Sequence, residues 1–260
     1  MRINIIQIDV ANFRKDAKSN LKILAYYLKE LGKDDLTVFP ECFNFYDYRN
    51  PASNKVAIYR LEDLSADRTY IAGGYIIEKV ENNRTRHNRA YLIHRGYVID
   101  YYDKHVPYKE EIARGQIVKA FSWGNQKCIP LICADAYKCT TTEGTDRIIS
   151  RARVLGASPS VPIVICSYSI PITQSFWTSK LQHLANERNA PLVICNIAGT
   201  SRDTFTENGK EYKYGGGGSG LFLAGIKKRQ QFKDAGIICI DTDKGEATYN
   251  PFADRPFGEP

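Results

Sequence analysis

The sequence predicts a mixed α/β architecture of two similar halves, each half a sheet covered by helices on one face. Three observations lead there. Strand-like apolar runs alternate with helically spaced segments at the start of the chain, the same alternation returns after residue 129, and short β runs fill the interval between them. No linker long or polar enough to divide the chain intervenes, so residues 1–260 read as one domain, a length at which a single core is ordinary.

The opening is strand, helix, strand: Ile3 to Ile8, Lys15 to Leu31, then Leu36 to Phe39. The middle segment places Leu21, Ile23, Leu24, Tyr27, Leu28 and Leu31 near helical spacing, and Gly32 stops it. Tyr70 through Ile77, Ala90 to Ile93 and Tyr97 to Tyr102 read as meander strands, with turn residues at Asn82-Asn83 and Gly96. The second half predicts a strand Ile129 to Cys133, a helix Asp146 to Leu155, a strand Ile163 to Cys166, a helix Trp177 to Arg188 and a strand Pro191 to Cys195. It closes with β runs at Leu221 to Leu223 and Ile237 to Ile240. The run Gly215 to Gly218 is too short for a linker and fits a place where backbone must approach backbone.

Apolar residues at 43% and charged residues at 25% match the globular average, which argues against disorder or a fibrous chain. The first apolar run is broken by Gln7 and Asp9, and no stretch approaches the roughly 20 residues of a membrane span, so the expected location is cytoplasmic, away from membranes. Seven scattered cysteines, an odd number, do not form a disulfide framework, and the absence of CxxC pairs or a histidine cluster speaks against structural zinc. The net charge of +7 is spread along the chain apart from Lys227-Lys228-Arg229, so a solvated basic face is expected and nucleic acid is not an expected partner.

Four features stand out. An apolar strand ends in Pro40-Glu41; another ends in Asp103-Lys104-His105; the acidic pair Glu110-Glu111 follows shortly; and the strand Ile129 to Ile132 delivers Cys133. Each has a plain reading. Strand-end carboxylates and lysines are usually solvated, Glu110-Glu111 is a charge run, and a cysteine in an apolar run is most often core. The sharper reading has a thiolate at a strand-to-loop turn, stabilised by a neighbouring cation and backbone N–H groups, and a partly buried lysine able to hold a developing oxyanion. In order along the chain the four make a constellation of Glu, Lys, Glu and Cys.

At this point the sequence resembles the carbon-nitrogen hydrolase (nitrilase-like) superfamily over nearly the whole chain. Val38-Phe39-Pro40-Glu41 is similar to that family's general-base motif, Tyr101-Tyr102-Asp103-Lys104-His105-Val106 to its lysine motif, and Leu131-Ile132-Cys133-Ala134-Asp135 to its nucleophile motif. Asn20, Asn88 to Ile93, Trp177, Ala185-Asn186-Glu187, Asn196, Gly199 and Gly217 to Gly220 agree in order and spacing. Departures are Glu187-Arg188 where the family usually has Glu-Asn, a missing glycine before the nucleophile and a short tail after Asp241.

The resemblance implies a four-layer α-β-β-α sandwich and an amidase-type hydrolase assembling as a homodimer or higher homo-oligomer, with no metal or organic cofactor. It implies Cys133 as nucleophile, Glu41 as general base, Lys104 and the Ala134 backbone N–H as oxyanion donors, and Glu111, in preference to Glu110, as the second glutamate. Tyr46, Tyr137 and Trp177 are candidate pocket walls. Ala134 in place of the tryptophan that follows many nitrilase nucleophiles favours an amide or N-carbamoyl substrate over a nitrile. A metal-dependent nuclease or phosphatase of the other common α-β-β-α fold would want paired histidines, which His87, His94, His105 and His183 do not supply. A catalytically silent binding subunit of the same fold is the remaining alternative.

Overall fold

The computed structural model describes residues 1–9, 31–41, 66–80, 83–108, 111–117, 119–138, 161–169, 171–172, 175–207, 209–225 and 229–252, with single positions 25, 28, 62 and 63. The chain opens with β1 (Arg2–Gln7), β2 (Leu36–Val38), β3 (Thr69–Val80), β4 (Asn83–His94) and β5 (Tyr97–Asp103). Then come β6 (Phe121–Trp123), β7 (Gln126–Ile132), a short helix α1 (Ala134–Lys138), β8 (Ile163–Cys166), helix α2 (Ser175–Arg188) and β9 (Leu192–Cys195). The last third holds the hairpin β10 (Thr200–Glu207) and β11 (Lys210–Gly215), then β12 (Ser219–Phe222), β13 (Arg229–Phe232), β14 (Gly236–Asp241) and β15 (Glu246–Pro251).

These strands form two large sheets and the separate β10-β11 pair. The first sheet runs β15-β14-β1-β2-β3-β4-β5 and the second β13-β12-β9-β8-β7-β6. Each has a parallel centre flanked by antiparallel strands: β1, β2 and β3 in the first, β7, β8 and β9 in the second. The centres read as unbroken apolar runs because such strands are covered on both faces. Ile163–Cys166 and Leu192–Cys195 are buried at every position.

One core cluster draws Ile3, Ile5, Val38, Ile71 and Leu92 from the first sheet together with Leu131, Ile165 and Val193 from the second, so the two sheets share an interior. The opposite face of the first sheet buries Ile6, Tyr70 and Ile93 with Leu28. Leu28 and Ala25 are helical, and the rest of the helix expected from Lys15 to Leu31 lies outside the described residues apart from Leu31, as does the one expected from Asp146 to Leu155. Leu181, Leu184 and Ala185 of α2 join the core of the second sheet. Each fully buried Ile, Leu or Val side chain contributes about 1.5–3 kcal/mol.

Two expectations change. Ile237 to Ile240, expected to close the second half, instead lies in β14 beside β1, pairing Ile3 with Ile240 and Ile5 with Ile238. The meander strands are longer than their apolar runs, since β3 and β4 pair through polar positions from Thr69↔His94 to Val80↔Asn83. Between β4 and β5 the chain reverses at Arg95 (φ 49°) and Gly96 (φ 85°), the left-handed pair that a two-residue hairpin requires. The glycine run does bring backbone against backbone: at Gly217 (φ 67°) a Cβ would stand 2.1 Å from the Lys233 carbonyl oxygen.

Candidate active site

Glu41 lies just beyond the carboxyl end of β2, Lys104 directly after β5 and Cys133 directly after β7. Carboxyl ends of strands are where open α/β sheets place their ligand sites. Glu41 and Lys104 are 4% and 1% exposed, a burial that charged side chains tolerate only when paired. They are paired: Lys104 Nζ donates to Glu41 Oε1 at 2.8 Å. Asn88 Nδ2 donates to the same oxygen at 2.7 Å, and the Tyr168 N–H donates to Oε2 at 3.1 Å. Three donors from three parts of the chain thus hold one carboxylate.

The main chain of Tyr168 also reaches the cysteine. The Cys133 thiol lies 3.9 Å from the Tyr168 carbonyl oxygen, in donor geometry, so one residue's main chain touches both Glu41 and Cys133. The Cys133 N–H bonds the Cys166 carbonyl at 2.8 Å and extends the β7-β8 ladder by one step. The chain then turns at once into α1, with Cys133 at φ 40°. A non-glycine residue in the left-handed region stores strain of order 1–3 kcal/mol. Here it tips a thiol out of the sheet at a strand-to-helix turn.

The other described cysteines have different surroundings. Cys128, Cys166 and Cys195 are fully buried, and burial pushes their thiols upward, with the negative charge of Glu41 adding to the effect at Cys166. Cys239 is half-buried on β14, its thiol raised by burial and then by Asp35. Cys133 is partly exposed and is joined to the buried ion pair through the main chain of Tyr168.

Ala134 begins α1, and the N–H groups of a helix's first turn have no acceptor within the helix. Glu111 is exposed, and Glu110 lies outside the described residues. Trp177 is 4% exposed and packed in the core with α2. Tyr137 falls in α1, with its side chain outside the described part, and Tyr46 lies outside the described residues altogether. Among the described residues no group of three or more His, Cys, Asp or Glu is placed to hold a metal ion, and no helix is long and apolar enough to cross a membrane.

Asp135, two residues after the cysteine, is completely buried. Burial pushes its carboxyl up to about 6, against the pull of Lys104 and of hydrogen bonds from Tyr102 and the backbone at Val106 and Ile132. The folded chain therefore binds this proton more tightly than an ordinary carboxylate of about 4 would. The stability it contributes is fully present below about pH 4 and falls as pH rises through about 6. Asp135→Asn removes that slope. Urea unfolding at pH about 4 and about 6 is expected to show wild type losing stability relative to the variant as pH rises, whereas a constant difference would contradict the assignment.

No protein-family model and no curated protein sequence matches the chain. Solved structures do. Glutamine-dependent NAD+ synthetase from Acinetobacter baumannii aligns with 97% of this chain at a TM-score of 0.69 and 16% identity, and the chain spans 48% of the synthetase's length. An amidase from Nesterenkonia sp. aligns over 93% of this chain and 89% of its own at a TM-score of 0.68 and 20% identity. A mutant of Nesterenkonia AN1 amidase, described as from the nitrilase superfamily, aligns over 94% of this chain and 92% of its own at a TM-score of 0.69 and 20% identity. The chain has the nitrilase-superfamily fold.

Within that fold the later motif features support the same loops. Asn196 Oδ1 accepts from the Ser169 N–H at 3.0 Å and its Nδ2 donates to the Gly217 carbonyl at 2.9 Å, fixing the segment next to Tyr168. Ser219 Oγ accepts from the Asn196 N–H at 2.7 Å. Sequence reasoning missed Tyr168, whose contribution is made by its main chain and leaves no trace in residue type. Asn88 was legible only as a flanking motif residue. Its hydrogen bond to Glu41 is what gives that position meaning.

Proposed function

We propose that this nitrilase-fold chain hydrolyses a non-peptide carbon-nitrogen bond, in an amide or N-carbamoyl compound, through a thioester on Cys133. The observation that carries the reading is the buried Lys104–Glu41 pair, 2.8 Å apart, tied to the Cys133 thiol by the main chain of one residue, Tyr168. A buried carboxylate and ammonium beside a partly exposed thiol cost more to maintain than a plain core would, and such arrangements collect at active sites.

In this reading Glu41 takes the Cys133 thiol proton and the sulfur attacks the substrate carbonyl. Lys104 and the Ala134 N–H hold the resulting oxyanion. Collapse breaks the carbon-nitrogen bond, and Glu41 returns the proton to the departing ammonia or amine. Glu41 then takes a proton from water, whose oxygen attacks the thioester, and returns it to the leaving thiolate, releasing the acid and restoring the thiol. Glu111, or Glu110, would orient the substrate at the rim. The wider reading takes the chain as one four-layer α-β-β-α domain, a cytoplasmic homodimer that acts on a small molecule and binds no nucleic acid.

The support from known structures is limited to likeness. The Nesterenkonia AN1 amidase has been seen with the product of Michael addition of acrylamide at its active-site cysteine and, as another mutant, in complex with butyramide. A screen of short aliphatic amides, glutamine, N-carbamoyl compounds and nitriles, read by ammonia release, tests the proposal. Glutamine belongs in the panel because the aligned synthetase is glutamine-dependent. Release from an amide or carbamoyl compound is expected, release only from nitriles would move the assignment to the nitrile branch, and no release would favour the silent subunit.

A further inference from the structure

We propose that Asp135 is a positioning residue whose carboxylate locks the turn carrying Lys104 against the turn carrying Cys133. Its two oxygens accept four hydrogen bonds. Oδ1 takes the N–H groups of His105 at 3.0 Å and Val106 at 2.8 Å. Oδ2 takes the Tyr102 hydroxyl at 2.8 Å and the Ile132 N–H at 3.2 Å. The arrangement brackets both residues. Tyr102 and His105 stand on either side of Lys104 in sequence, and Ile132 and Asp135 stand on either side of Cys133. Four acceptor bonds on a wholly buried group offset part of the cost of burying its charge.

A structural role alone does not account for this placement. The two turns belong to different sheets, Lys104 following β5 of the first and Cys133 following β7 of the second. Main-chain pairing therefore cannot set their separation. The carboxylate does so, and it adds a negative charge within range of Lys104 that opposes the build-up of an oxyanion, a cost repaid by fixing the geometry. The inference rests on the reading of Cys133 and Lys104 given above.

Tyr102→Phe and Asp135→Asn test it. The first removes one donor and no charge. In the second, Oδ1 keeps His105 and Val106, the Tyr102 hydroxyl can turn to accept, and Nδ2 is left facing the Ile132 N–H, donor against donor. With the amide found by the screen, Asp135→Asn is expected to lower kcat about 10- to 100-fold with KM within about threefold of wild type. Independently of any substrate, Cys133 alkylation by iodoacetamide is followed against pH by intact-mass analysis. Tyr102→Phe is expected to raise its midpoint by about half a pH unit, because a loosened Lys104 stabilises the thiolate less.

A bond that is merely structural would lower the melting temperature and leave kcat and the alkylation profile unchanged in folded protein, which overturns the proposal. Should Asp135→Asn fail to fold, Tyr102→Phe decides alone. Failure of the functional reading looks different: Cys133 in wild type would alkylate no faster than half-buried Cys239.

Discussion

Cys133→Ala is expected to lower amide turnover at least about 10³-fold while the protein stays folded, because removal of a nucleophile eliminates the covalent route and leaves only what binding and the oxyanion donors supply. Ammonia release and thermal unfolding on the same sample check it, and turnover within tenfold of wild type would remove Cys133 from the mechanism. Stability should move in an unusual direction across a series at this position. The residue holds φ 40°, where a Cβ is a burden, so Cys133→Gly should unfold about 1 kcal/mol later than Cys133→Ala. A glycine inside most structures costs stability; here the side chain proposed as nucleophile is the one that strains the turn.

The second large effect is at the ion pair. Lys104→Met leaves the Glu41 carboxylate buried without its cation, and breaking a buried pair from one side costs about 3–5 kcal/mol. For a chain of this size that moves the melting temperature by on the order of 10 °C. Adding Glu41→Gln to Lys104→Met removes the orphaned charge and should recover about 1 kcal/mol, although the glutamine carbonyl keeps only one of the two donors, Asn88 Nδ2 or the Tyr168 N–H, which bond different carboxylate oxygens. Activity should not recover with it: both the single and double variants are expected to lose at least about 10²-fold in kcat. A double variant no more stable than Lys104→Met would show that the pair does not carry this energy.

The parts of the fold that were legible from residues are those where burial dictates composition. β1, β2, β8, β9 and α2 were found within a residue or two because sheet centres and helix faces must be apolar. β10, β11, β13 and β15 were missed because they are largely polar, as Lys210–Gly215 shows with only its last position buried. β14 was found but assigned to the wrong half. Its partner β1 lies over 230 residues away in the chain, and no local pattern reports a pairing of that separation.

The site divides in the same way. Glu41, Lys104 and Cys133 each had a plainer reading, and only their order and spacing raised them above it. Asp135 was visible as a motif letter without a role, since the four donors around it come from β5, the loop after it and β7. Trp177 packs in the core, and its residue type could not separate a core position from a pocket wall, because aromatic residues serve both purposes.

The return of β14 to the first sheet sets an order of assembly during synthesis. Every strand of the six-stranded sheet lies between Phe121 and Phe232, so the sheet bearing Cys133 can pair fully once that stretch has emerged. The sheet bearing Glu41 and Lys104 cannot. Until Gly236–Asp241 arrives, β1 is an open edge of apolar residues, Ile3, Ile5 and Ile6 among them, in the middle of the finished sheet. The ribosome therefore completes the sheet bearing Cys133 first and holds back the last strands of the other. Early release or a slow C-terminal third would expose a strand edge prone to pairing with another chain.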